Sequence, residues 1–370
     1  MKQAVNILIL TFFLPIIRLS PCEAGRQDEL SVATWYGDMH FSSPGEQLFG
    51  DLLHSQPIQR LKQINQYGVI QLVDTSGQND EPYSRYDHSV GVLYLLRRFQ
   101  APYKEQVSGL LHDVSHTAFS HVSDYLHTES PAGNPNFHDS LFTSFLEQRG
   151  LSGILDRYGL SVAEVDPKKP AFARLERELP DLCADRLDYI LQGAGRRGVL
   201  TQSQSDEILN ALLFDEKTAH WYVKSRKAAR RLAEASIELN SKIFATAWGL
   251  MLYQWTAEAL RRLITLGDLS TEDVLYHKTD AQIWNILSGS KDPQIEALMR
   301  QMTSSWYSVS ETVDPEKADR IFKNIRCRVI DPRVLSSKGW ERLSAIDSEF
   351  RQRVNKELNR CRNIYVRINR

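Results

Sequence analysis

His112, Asp113, His116 and His121 crowd into one stretch, LLHDVSHTAFSH, at residues 110–121, and six of the chain's ten histidines lie between His88 and His138. Imidazoles and carboxylates together are the donor set of a divalent transition metal. On a helix, residues four apart such as His112 and His116 share a face, and Asp113 is rotated about 100° from His112. One ion lying over the helix is then within reach of both His112 and Asp113. A metal of useful affinity needs more ligands. His88, at the start of an apolar helix, offers a third, and CADRLDY offers Asp185 and Asp188, three apart on one helix face, as a fourth. Such a mixed N/O set suits Fe, Mn, Zn, Ni or Co better than Ca. One such ion is the expected cofactor, with room for an additional Mg.

Helices must position these groups, because helical periodicity dominates the chain. QLFGDLLHSQPIQRLKQI places Leu48, Leu52 and Leu53 on one face and restarts after Pro57. HSVGVLYLLRRF and KEQVSGLLHDV read as buried helices, and HDSLFTSFLEQRG is amphipathic with Gly150 as its stop. DLCADRLDYILQG follows Pro180, and residues 227–267 form one or two long helices ending at Gly267. Segments 74–85 and 127–137 are rich in turn formers and predict loops of the kind that rim active sites. After about 270, NIRCRVIDP (324–332) and NIYVRINR (363–370) read as strands. The expected fold is mostly α, with a helical domain over 25–270 and a smaller α+β region over 271–370.

Residues 1–24 stand apart. Lys2, the apolar run Ile7–Ile17 and RLSPCEA match an export signal cut at Ala24, too short to span a bilayer comfortably. The chain is therefore expected to be exported, periplasmic or secreted, with lipidation at Cys22 a lesser alternative; without a signal it would be cytoplasmic. The four cysteines show no metal spacing, and beyond Cys22 three buried thiols are favoured over one bridge and a free thiol. At 42% hydrophobic, 25% charged and a net charge of −1, nothing global points to nucleic acid or a membrane surface. The basic run Arg351, Arg353, Lys356, Arg360 and Arg362 reads as a solvated helix face.

SRYDHSVGV, LLHDVSHTAFSH and ADRLDY together resemble the H…HD…D signature of the HD-domain phosphohydrolases. GDMHF (37–41) and QRLKQINQYG (59–68) resemble the branch containing the deoxynucleoside triphosphate triphosphohydrolases and the SAM-and-HD-domain protein. The resemblance covers most of residues 36–200. It implies an HD-domain helical core with His88, His112, Asp113 and Asp185 as metal ligands. His116 matches a histidine beside the phosphates, His138 a general acid/base, and His121 and Asp124 a supporting pair. Gln66 and Tyr67 match sugar contacts, Arg85 and Arg186 phosphate contacts, and Tyr189 a pocket wall. It also implies a small-molecule phosphate ester or nucleotide as substrate, and a homo-oligomer. A bound divalent ion suits that chemistry by lowering the pKa of water and polarising phosphoryl oxygen.

The chain departs from that branch in two places. Gln192-Gly193 stands where an Arg-Asp pair is usual. Phe244, Trp248 and Met251 stand where polar and basic residues grip a triphosphate, with Lys242 the lone cation of NSKIFATAWGLMLYQW. The expectation is thus a phosphohydrolase whose triphosphate specificity is unsupported. The rivals are a metal- or nucleotide-binding regulatory module and a nucleic-acid-end hydrolase.

Overall fold

The computed structural model describes residues 30–73, 82–126, 137–304 and 309–368. The expected export signal, Cys22, His127 and most of the two loops at 74–85 and 127–137 lie outside the described residues. The fold is mostly helical, with three small sheets among the described residues. Among the described residues no helix is long and apolar enough to cross a membrane.

Three helices build the frame of the site. Ser84 and Asp87 form a capping box that starts Arg85–Arg98 one turn before His88. Val92, Leu93, Leu95 and Leu96 of that helix are wholly buried, each contributing about 1.5–3 kcal/mol relative to exposure. It packs against Tyr103–Leu111 and Ala184–Arg196. Glycines permit the close crossings. A Cβ on Gly91 would lie 2.0 Å from Asp188 Oδ1, and one on Gly109 2.1 Å from Leu96 Cδ1. The long helical stretch resolves into two helices, Arg226–Leu239 and Ala247–Leu266, joined by a wide π turn at Asn240–Phe244. Gly267 closes the second with φ 81°, a conformation that glycine adopts at no steric cost.

The strands run β1 Leu30–Thr34, β2 Gly37–Phe41, β3 Leu212–Asp215, β4 His220–Val223, β5 Val309–Glu311, β6 Arg320–Lys323, β7 Arg333–Ser336, β8 Gly339–Arg342 and β9 Asn363–Ile368. β1 and β2 form a hairpin with Thr34 opposite Gly37. Its Trp35–Tyr36 tip lies against Gly195, where a Cβ would meet the Trp35 ring at 2.4 Å. A four-stranded sheet has the order β3-β4-β7-β8, with β4 and β7 parallel. The third sheet, β5-β9-β6, is antiparallel.

Three expectations need correction. Residues 324–332 are not a strand: the segment runs irregularly between β6 and β7. Its N–H groups go to side chains, a helix end and a loop carbonyl instead of a neighbouring strand: Asn324 to Arg362 O, Ile325 to Cys361 O, Arg328 to Asn240 Oδ1, Ile330 to Ser236 Oγ and Asp331 to Pro180 O. The cysteines beyond Cys22 are not three thiols. Cys327 and Cys361 form a disulfide with Cα atoms 5.7 Å apart, within bridging range, while Cys183 is free and buried. Finally, His112, Asp113 and His116 do not lie on one continuous helix, which ends at Leu111. The chain turns there and again at Phe119 and Ser120, whose φ values are 58° and 55°. Fixed partners hold that unusual backbone. Phe119 N–H donates to Asp280 Oδ1 (2.7 Å), Ala118 N–H to Val274 O (3.2 Å), and Arg60 Nη1 to His116 O (2.9 Å).

Candidate metal centre

The four residues His88, His112, Asp113 and Asp185 converge. His88 Nε2 lies 3.0 Å from Asp185 Oδ1, 3.2 Å from His112 Nε2 and 3.5 Å from Asp113 Oδ2. His112 Nε2 lies 3.6 Å from Asp113 Oδ1 and 3.8 Å from Asp185 Oδ1. They come from the first turn of Arg85–Arg98, the turn after Leu111 and the first turn of Ala184–Arg196.

The opposite edge of each imidazole is already committed. His112 Nδ1 meets Gly109 O at 2.8 Å, and a carbonyl only accepts, so Nδ1 carries the proton and a neutral ring leaves a lone pair on Nε2. His88 Nδ1 meets Asp188 Oδ2 at 2.6 Å, which leaves its Nε2 facing the same point. Two such lone pairs 3.2 Å apart, flanked by two carboxylates, call for a shared cation. Donors about 2.0–2.2 Å from one ion sit about 3–3.5 Å from each other; His88, His112 and Asp185 lie close enough together to share one, with Asp113 3.5 and 3.6 Å from the two histidines. The electrostatics agree. Burial opposes charge on His88, yet its hydrogen bonds to Asp185 and Asp188 outweigh burial and push its pKa up to about 10. The carboxylates thus favour a positive charge at His88 Nε2, a proton in the absence of an ion and a metal ion where one is bound. Asp113, against its burial, is held well below the usual carboxylate range by His112, His116 and Arg85.

Asp188 is where sequence reasoning fell short. Its spacing offers it, with Asp185, as a fourth metal ligand. Instead it accepts from Tyr36 Oη (2.9 Å), Tyr83 Oη (2.9 Å) and Gln192 Nε2 (2.9 Å) besides His88. Such a carboxylate orients a metal-binding histidine and raises its basicity. Gln192, read as a departure from the family pattern, thus helps hold Asp188, and also donates to Asp87 O (3.1 Å). The neighbouring Gly193 makes room for Tyr67, whose hydroxyl would lie 2.5 Å from a Cβ there.

Beside the centre, a cavity of about 340 Å³ is lined by Gln66, Arg85, His116, His121, Asp124, His138 and Tyr189 as well as His112, Asp113 and Asp185. His116 Nε2 contacts Asp113 Oδ1 at 3.3 Å, and its ring stacks on His138 with centroids 3.7 Å apart. His138 Nε2 contacts Asp139 Oδ1 at 3.1 Å, and Asp139 pairs with Lys168 at 2.8 Å. Burial and Arg85 keep the His116 pKa well below its ordinary value, so this ring is neutral beside its partner. His121 Nδ1 contacts Asp124 Oδ2 at 3.1 Å. Burial pushes Asp124 up to about 6, and burial with Arg328 holds His121 well below its ordinary value.

Arg85 and Arg186 are both engaged by the protein's own groups. Arg85 donates to Asp113 Oδ2 (2.6 Å), Ser120 Oγ (3.0 Å) and Gln66 O (3.3 Å). It lines the cavity while steadying Asp113. Arg186 is buried, donates to Asp181 O and Arg177 O, and does not line the cavity. Tyr67 is likewise buried behind the wall, ring against Tyr83 and Phe244. Sequence reasoning gave no role to Asp139, Lys168, Glu176, Arg326 or Arg328, which also line the cavity. A second His-Asp dipeptide at 138–139 and the paired arginines of RCRVIDP were the available signals. The basic run at 351–362 contributes nothing here. Arg353 pairs with Glu234 and Arg360 with Glu311 and Glu357, while Arg351 donates to Ser344 O and Ala345 O.

No family model matches the sequence. A metal-dependent phosphohydrolase of Cordyceps militaris, cns2, is 31% identical over 264 residues, 70% of this chain and 73% of that protein. The chain belongs to the HD-domain metal-dependent phosphohydrolases. Another relative of this phosphohydrolase, the uncharacterised YdhJ of Bacillus subtilis, is 27% identical over 334 residues, covering 90% of this chain and 97% of that one. Two crystal structures share the fold. A phosphohydrolase from Bacteroides thetaiotaomicron has a TM-score of 0.65 at 15% identity, covering 93% of this chain and all of that one. A hypothetical protein from Aquifex aeolicus has a TM-score of 0.61 at 17% identity, covering 92% and 96%. The fold and the His/Asp clusters agree with membership of that family.

Proposed function

We propose that the protein hydrolyses a nucleotide or related small phosphate ester, with His88, His112, Asp113 and Asp185 holding one divalent metal ion. The observation that carries this reading is the approach of the His88 and His112 Nε2 atoms to 3.2 Å, each ring's Nδ1 being engaged elsewhere. An ion held there supplies Lewis acidity to water and to the phosphoryl group. The chain's own residues do the rest. Asp188 fixes the ring of His88, and Arg85 fixes the carboxylate of Asp113. Asp139 accepts at His138 Nε2, so a proton delivered by this ring leaves from Nδ1. That atom is buried without a hydrogen-bond partner, as is His116 Nδ1. Buried polar atoms rarely stay unpaired without a role, and His138 Nδ1 suits a proton donor to the leaving oxygen. Gln66 Oε1, also buried and unpartnered beside the cavity, suits a substrate hydroxyl.

Deoxynucleoside triphosphate is a weaker fit. The turn that would grip a triphosphate presents Phe244 to the cavity, and Asn240 spends its amide on Glu357 and Arg328 N–H. A phosphate-release screen on metal-reconstituted protein, with product identification across mono-, di- and triphosphates and sugar phosphates, tests the reading. Release of phosphate or pyrophosphate that stops on chelation supports it. Inertness of fully metal-loaded protein towards the whole panel contradicts it.

A further inference from the structure

One wall of the cavity comes from the C-terminal part of the chain. Asn324, Ile325, Arg326 and Arg328 line the same space as His112, Asp113 and Asp185. The segment that carries them is held along its length. Asn324 N–H donates to Arg362 O (2.8 Å), Ile325 N–H to Cys361 O (2.9 Å), Arg328 N–H to Asn240 Oδ1 (2.8 Å) and Ile330 N–H to Ser236 Oγ (3.3 Å). The Cys327–Cys361 disulfide fastens it to the Ser348–Arg362 helix.

Arg328 differs from the other cations nearby. Arg85 is committed to Asp113, and Lys168 to Asp139. The Arg328 guanidinium carbon stands 5.2 Å from the Phe244 ring centre and 5.9 Å from that of Tyr189. Its Nη2 donates to His121 Nε2 at 3.0 Å. Among the described residues no ion pair engages it. To accept that bond, His121 must be neutral with its proton on Nδ1, where Asp124 Oδ2 receives it. A guanidinium has five N–H donors, and its planar fork matches phosphate oxygens two at a time. One donor spent on a neutral ring leaves the charge and most of the fork available.

We propose that Arg328 is a substrate-binding residue, taking the non-bridging oxygens of the substrate phosphate while His121 and Asp124 position it, and that the substrate is a phosphate monoester. The proposal rests on the phosphohydrolase reading and adds the residue and the phosphate class. The charges of the cavity argue for the class. Its lining cations are Arg85, Lys168, Arg326 and Arg328, set against the carboxylates of Asp113, Asp124, Asp139, Glu176 and Asp185. A divalent ion leaves a small positive excess. That excess suits a phosphate dianion and falls short of the roughly four charges of a triphosphate. The flat faces of Tyr189 and Phe244 are left for the organic part of the ester.

Calorimetric titration of the metal-loaded protein with inorganic phosphate and with tripolyphosphate tests both parts. Arg328→Gln should weaken inorganic phosphate about 10- to 100-fold and raise KM for a hydrolysed monoester by a similar factor, with a smaller change in kcat. Arg328→Lys, which keeps the charge and loses the fork, should fall between. Circular dichroism melting of each variant checks folding, and a variant that melts early is replaced by Arg328→Met. Phosphate affinity within twofold of the parent in folded Arg328 variants would overturn the residue. Tripolyphosphate binding more than about tenfold tighter than phosphate would overturn the monoester. Neither outcome touches the parent's own hydrolysis, whose absence would instead remove the reading beneath.

Discussion

Asp188 carries no charge to the metal itself, so replacing it separates the support of the site from its ligands. Asp188→Asn keeps the shape but offers one acceptor oxygen in place of two. In the parent, Oδ2 receives Tyr83 Oη and His88 Nδ1, and Oδ1 receives Tyr36 Oη and Gln192 Nε2. If the amide oxygen stays with His88, the new NH2 faces the Gln192 NH2, and a buried donor loses its partner. That costs about 1–3 kcal/mol of stability. The larger effect is on the ring. His88 Nδ1 then donates to a neutral amide, so Nε2 becomes a weaker base towards a cation. Loss of such a partner typically weakens metal binding 10- to 100-fold, or about 1.4–2.7 kcal/mol. Competition titration of the reconstituted protein against a chelator of known affinity measures the metal constant, and melting of the metal-free protein measures the structural part. A metal constant within twofold of the parent, in a folded variant, would refute the claim that Asp188 tunes His88.

Two further perturbations probe different layers. His138→Ala should retain the metal and lose about 10²–10⁴ in kcat; metal content measured beside the rate decides, because loss of metal would put His138 among the ligands. Gly91→Ala should lower the melting temperature and weaken metal binding, since its Cβ would lie 2.0 Å from Asp188 Oδ1 and 2.4 Å from Gln192 Nε2. Crowding of this kind costs about 1–3 kcal/mol, and an unchanged melt would show that the two helices can separate freely.

The helices and the meeting of four side chains were legible because both rest on strong, local signals. Apolar residues at helical spacing predicted helices over 88–99 and 181–193, which overlap Arg85–Arg98 and Ala184–Arg196, and the clustered histidines pointed to one centre. The turn after Leu111 was not legible. Nothing in HDVSHTAF breaks a helix, and the chain leaves it because Asp280, Val274 and Arg60, distant in sequence, satisfy its backbone. Asp188 was misjudged for a similar reason. Arg186, two residues before it, turns to the carbonyls of Asp181 and Arg177, while the partners of Asp188, namely Tyr36, Tyr83 and His88, lie 100 or more residues away. The stretch at 324–332 has strand-like residues, yet its backbone finds side-chain, helix-end and loop acceptors instead of a neighbouring strand. Its two arginines consequently reach the cavity from more than 180 residues beyond the last expected site residue outside the Ala184–Arg196 helix, His138.

Metal content after reconstitution is the most direct test of the centre. The parent, stripped with chelator, reloaded with Mn or Fe and desalted, should hold about one ion per chain by elemental analysis, whereas His112→Ala and Asp185→Ala should hold almost none. Stoichiometric metal in folded His112→Ala, or none in the reloaded parent, would contradict the account.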